Sequence, residues 1–138
     1  MSKTEKSYVY FGGHKTTTSK EFKIGESANL YLRKNTLWSN ERIEILRYVV
    51  FNGTKDERLF VESYLRSVYS ANRNLKHFGN DHFKAQTRNN LKGAENQFFV
   101  HVAEAFATLE VIKHKRFTYQ VHVGNYDRWA EWLDTEED

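Results

Sequence analysis

The chain has 138 residues with 21 Lys plus Arg against 18 Asp plus Glu, a formal net charge of +3, and a length that suits one domain with a real core. The absence of cysteine excludes disulfides, thiolate zinc sites and thiol nucleophiles, and with no proline the hard breaks fall to glycine and asparagine. No apolar run approaches the roughly 18–20 residues needed to span a bilayer, and residues 1–6 carry no signal-peptide core, so a cytoplasmic protein without a membrane partner is expected.

In chain order, residues 7–11 (Ser-Tyr-Val-Tyr-Phe) are β-branched and aromatic and predict a strand ended by Gly12-Gly13. A polar, threonine-rich connection leads to a second strand over 22–25, so 7–25 reads as a hairpin with a long loop. Ser27 or Asn29 can cap a short helix to about Leu37, with Leu30, Arg33 and Leu37 on neighbouring faces. Residues 43–51 form the strongest strand, with Ile43, Ile45, Val49 and Phe51 suggesting a buried central position.

Asn52-Gly53 closes that strand, and Thr54 caps a helix over 55–71 whose first turn holds Asp56 and Glu57, where the helix dipole favours acids. Leu59, Leu65, Val68 and Tyr69 make its inward stripe. Glu62, three residues from both Leu59 and Leu65, points toward that stripe, and a carboxylate there needs a cation or hydrogen-bond donors. The pattern loosens beyond Asn72. It resumes as a long helix over 94–114, an edge strand over 117–123 and a final helical turn or two over 126–133 with Trp129 and Trp132. The expected fold is α+β: a small, mostly antiparallel three-stranded sheet flanked by helices, with residues 1–85 as the core. Residues 86–138 form a helical C-terminal extension with an acidic tail, packed on the same domain.

Charge is unevenly spread. From Asp127 onward six acidic residues stand against Arg128 alone, which leaves 20 Lys plus Arg against 12 Asp plus Glu over residues 1–126, or +8. Such a body suits a polyanion, since each phosphate it neutralises releases condensed counterions. Four side chains then supply what phosphodiester hydrolysis needs. Glu62 alone can hold a magnesium or manganese ion that relieves charge on the phosphoryl oxygens, because magnesium needs only one or two carboxylates besides water and phosphate. Arg33 can clasp the scissile phosphate. Tyr10 is the candidate general base, and Lys23 on the adjacent strand favours its phenolate. His14 is an alternative base on the loop after the first strand. Lys34, Arg66, Arg73 and Lys76 are candidate backbone contacts. His77, His82 and His101 show no metal-ligand spacing on one element.

The order and spacing of these residues resemble the GIY-YIG endonuclease superfamily over roughly residues 7–84. Tyr8-Val9-Tyr10 looks like its first motif, with Tyr10 at the tyrosine, and Lys23-Ile24-Gly25 looks like its second, in the form that carries lysine first. Arg33 matches the helix arginine, Glu62 the metal-binding glutamate, and Gly79-Asn80-Asp81-His82-Phe83 the short closing segment of the lysine-bearing branch. The resemblance implies a compact bacterial or phage-encoded endonuclease that cuts DNA, double-stranded before single-stranded or RNA. It implies one Mg2+ or Mn2+, catalysis by Tyr10, Lys23, Arg33 and Glu62, and compatibility with a homodimer. Departures are Tyr8 for the first glycine, Leu37 where many members have histidine or tyrosine, and Arg66 where the lysine-bearing branch has histidine. Tyr8, His14, Tyr31 and Arg66 are the candidates to assist. Two other readings stay open: a nucleic-acid-binding module of this fold without activity, and a phage protein-interaction factor using Trp129, Trp132 and the acidic tail.

Overall fold

A computed structural model describes residues 4–14, 20–79 and 81–124. Its centre is a six-stranded, wholly antiparallel sheet in the order β4-β5-β2-β1-β3-β6, formed by β1 (Glu5–His14), β2 (Glu21–Ser27), β3 (Ile43–Gly53), β4 (Leu75–Phe78), β5 (His82–Ala85) and β6 (Tyr119–Val123). Four helices flank it: α1 (Leu30–Glu41), α2 (Lys55–Ser70), α3 (Arg88–Asn96) and α4 (Phe98–Lys113). The α+β class and the antiparallel hairpin hold, but the expected three-stranded sheet is twice that size. The additions are short. β4 and β5 have four residues each and carry Lys and His, so neither makes an apolar run. They are held by a ladder of stacked rings that crosses four strands, Phe11 on Phe22 at 4.6 Å, Phe22 on Phe83 at 5.2 Å and Phe83 on His77 at 4.5 Å between centroids.

Gly12-Gly13 does not end β1, which runs on to His14. A Cβ on Gly12 would meet Ile43 Cγ2 at 2.5 Å, so the glycine lets β3 lie close and continues the strand. Opposite it the register slips: Phe11 faces Arg47 and Gly12 faces Ile45, which leaves Leu46 as an extra residue in β3. The bulge turns the odd-numbered side chains over. Ile43 and Ile45 join Tyr10 and Leu37 in a small core under α1, whereas Val49 and Phe51 join the main core under α2 and α4.

That main core runs from Val9 and Phe11 through Val61, Leu65 and Tyr69 to Leu91, Phe98, Phe106 and Leu109, so residues on both sides of position 85 share it. The expected single helix over 94–114 is two, meeting at Gln97. Beside the break, the buried Tyr69 hydroxyl donates to the Ala94 carbonyl at 2.7 Å, and the fully buried Glu95 is paired with Arg47 of β3. The expected segment over 126–133, with Trp129, Trp132 and the acidic tail, lies outside the described residues. Among the described residues no helix is long and apolar enough to cross a membrane.

Candidate active site

The site forms where β5 parts from β2. The two strands pair from Glu21 to Lys23, and the Ile24 N–H donates to the Asp81 carbonyl at 3.0 Å. Beyond Ile24, no strand among the described residues takes that edge of β2, and Gly25 sits at the opening. Its partner in β1 is Tyr10, whose ring lies over the glycine: a Cβ there would stand 2.2 Å from the Tyr10 hydroxyl. Gly25 is therefore the space that the Tyr10 ring fills.

Helix α1 approaches on the Tyr10 face. It is capped by Asn29, not Ser27, with Asn29 Oδ1 accepting from the Leu32 N–H at 3.1 Å. Its inward positions run Leu30, Arg33, Leu37, Glu41, a spacing of three, four and four residues that keeps one stripe against the sheet. Leu30 and Leu37 pack in the small core, so Arg33 between them is aimed at Tyr10 and Glu41 one turn further at Lys23. Leu37 is buried against Tyr10, Ile43 and Ile45.

Burial pushes the Tyr10 phenol well above its usual range; the Arg33 guanidinium opposes that shift, and the carboxylates of Asp81 and Glu62 add to it. The hydroxyl is sealed from solvent, and the Arg33 guanidinium stands beside it, close enough to interact but outside good hydrogen-bond geometry. Lys23 does not act as expected on this phenol. Its Nζ is held by Glu41 at 3.3 Å and Asp81 at 3.6 Å.

Helix α2 comes from the opposite face of the sheet, started by a capping box in which Thr54 and Glu57 satisfy each other's N–H groups. Its inward stripe is Val61, Leu65 and Tyr69 with Arg58 and Glu62, and Leu59 lies on the exposed side instead. The buried Arg58 takes its place through Glu26 at 2.5 Å, Glu5 at 3.0 Å and the Ser7 hydroxyl at 3.2 Å. Glu62, only 8% exposed, has Arg66 at 3.4 Å. Burial holds its carboxyl above the usual carboxylate range; Arg66 and Lys23 oppose this, and Glu26 and Asp81 reinforce it.

Around one gap in the sheet, Tyr10 thus senses the charges of Arg33 and Glu62, and Glu62 that of Lys23, the four residues being spread over 53 positions of sequence. The other candidates stand elsewhere. Tyr8 lies against Tyr48, their ring centroids 6.2 Å apart. His14 pairs with Ile43 at the end of β1, about 13 Å along the strand from Tyr10. The well-exposed Tyr31 lines a groove with Lys34, Trp38 and Tyr48. Arg73 and Lys76 are exposed beyond the C-terminus of α2, whose last residue, Ser70, is about 12 Å along from Glu62 at helical rise. Asp81, Glu41 and Glu26 were not read as site residues. The signal for Glu41 was present, since it continues the Leu30-Arg33-Leu37 stripe.

Among the described residues no group of three or more His, Asp or Glu is arranged to hold a metal. A hard divalent cation fits Glu62 nonetheless: a buried carboxylate whose proton affinity is raised, with two more acids within charge reach, is relieved by such an ion, and one carboxylate suffices for magnesium. No protein-family model, curated protein or solved structure matches the chain.

Proposed function

We propose that the protein is a metal-dependent endonuclease of the GIY-YIG type that hydrolyses DNA phosphodiesters at the gap beside β2. The observation that supports the reading is that Tyr10 lies within charge reach of Arg33 and Glu62, and Glu62 within that of Lys23, at the edge where β5 leaves off. Arg33, on the inward stripe of α1, clasps the scissile phosphate and neutralises the charge that builds on it as water attacks. Lys23 adds a second cation to the same phosphate. Glu62 holds the magnesium or manganese ion, which when bound supplies charge relief to the phosphoryl oxygens. Tyr10 is assigned a changed role: burial keeps its phenol protonated and shut off from solvent, so it does not serve as the base and instead packs on Gly25 beneath the site with Arg33 beside its hydroxyl. Lys34, Arg66, Arg73 and Lys76 line the flanking backbone of a polyanion.

The test is cleavage of supercoiled plasmid with magnesium or manganese. Nicking or linearisation that chelation stops and Glu62→Ala abolishes supports the reading. A second reading rests on the sealed Tyr10 hydroxyl and the buried Leu37: a nucleic-acid-binding module of the same fold without turnover. Folded protein that cuts no plasmid, single strand or RNA, yet binds DNA with affinity falling steeply as salt rises, favours it.

A further inference from the structure

Lys23 belongs to a closed ring. Its Nζ lies 3.3 Å from Glu41 Oε2 and 3.6 Å from Asp81 Oδ2. The other oxygens of the same two carboxylates meet the imidazole of His82, Glu41 Oε1 at 3.1 Å from Nε2 and Asp81 Oδ1 at 3.0 Å from Nδ1. Each acid bridges two nitrogen groups, and each nitrogen group is shared by two acids. The four come from different places in the chain: β2, the last turn of α1, the turn before β5 and the first residue of β5.

A single partly exposed ion pair holds a long side chain poorly. A closed network restrains it much better, because releasing any member breaks two contacts. The Lys23 side chain is 11% exposed, and those of Glu41, Asp81 and His82 are 27–36% exposed, so the ring stands at the rim of the site where an incoming phosphate would pass. Asp81 also bears on both Tyr10 and Glu62. Two acids beside a phosphate-binding lysine repel the phosphate, while they fix where the ammonium points. Their effects on affinity and on turnover therefore have opposite signs.

We propose that Glu41 and Asp81 are positioning residues for Lys23: tied together through His82, they aim its ammonium at the phosphate while weakening the overall attraction for DNA. The consequence for turnover rests on the nuclease reading above, whereas the restraint on Lys23 does not. Both are tested with the full chain carrying Glu41→Gln or Asp81→Asn. The first readout is acylation of lysine amines by an anhydride reagent, followed residue by residue by mass spectrometry. An ammonium clasped by two carboxylates reacts slowly, so Lys23 should label several-fold faster in each variant while the exposed Lys84 is unchanged. His82→Gln, which cuts the bridge without touching Lys23, should give a smaller rise. Equal Lys23 labelling in all four proteins overturns the proposal, whatever the activity.

The second readout separates positioning from a merely structural part. Turnover should fall by about tenfold or more, as expected when a reacting group is misplaced, while DNA affinity rises, and Asp81→Glu should recover part of the turnover. Turnover and affinity falling together in proportion to lost folded protein would also overturn it. If the wild type cuts nothing while Lys23 labelling still responds, the nuclease reading fails and the restraint on Lys23 stands.

Discussion

A methyl group on Gly25 would stand 2.2 Å from the Tyr10 hydroxyl and 2.4 Å from its Cζ, and the Tyr10 ring is fully buried with nowhere to swing. Gly25→Ala is therefore expected to cost about 1–3 kcal/mol by overpacking and, by displacing the hydroxyl, to lower cleavage further than its stability loss explains. Urea denaturation beside a cleavage assay checks this, and unchanged stability would show that the ring has room. Glu62 allows a test of sign. Burial raises its carboxyl above the usual range, so the native state binds this proton more tightly than the unfolded chain does. The ionised group then costs stability: nothing while the carboxyl is protonated in both states, progressively more as pH rises past the ordinary carboxylate value, and in full above the raised native value. Glu62→Gln should accordingly raise the melting temperature at neutral pH, with the gain fading toward about pH 4. A variant less stable than the wild type at neutral pH would mean that the Arg66 contact outweighs burial.

At the scale of elements, the site depends on two helices that reach one gap from opposite faces of the sheet. The Thr54–Glu57 capping box starts α2 two turns before Glu62. Thr54→Ala should lower stability by about 1 kcal/mol and leave the cleavage rate of the folded fraction nearly unchanged, which thermal melts and initial rates would measure. A large rate loss would mean that the cap also sets the helix register. Both helices were legible in the sequence from their caps and periodicities, but α1 runs a turn past the expected end at Leu37, to Glu41. The phase of α2 was not legible: Arg58 occupies an inward position that apolar counting assigns to Leu59, and the distant Glu5, Ser7 and Glu26 make that position tenable. The parity of β3 was hidden for a similar reason. Ile43, Ile45, Val49 and Phe51 read as one apolar face, and the bulge at Leu46 divides them between two cores.

For the whole molecule, the elements that carry the candidate residues and the edge strand β6 were readable, and β4 and β5 were not. Tyr10, Lys23 and Arg33 lie on segments whose type the local pattern specifies, and Glu62 lies on a well-capped helix. β4 and β5, by contrast, exist because Phe83 and His77 extend a ring stack begun by Phe11 and Phe22, a long-range contact that four-residue segments cannot announce. Their arrival decides the site, since the end of β5 leaves the β2 edge open at Gly25 and brings Asp81 to Lys23. The central claim is that residues from both faces of this sheet act on one phosphate. Single-turnover cleavage of a duplex with manganese, compared for wild type, Arg33→Ala, Glu62→Gln and the double variant, tests it most directly. Groups that act as a unit give losses that do not multiply. Each single substitution should slow cleavage by on the order of a hundredfold or more, and the double variant should be little slower than the worse single one. Losses that multiply, cleavage indifferent to either substitution, or a wild type that cuts nothing would contradict the claim.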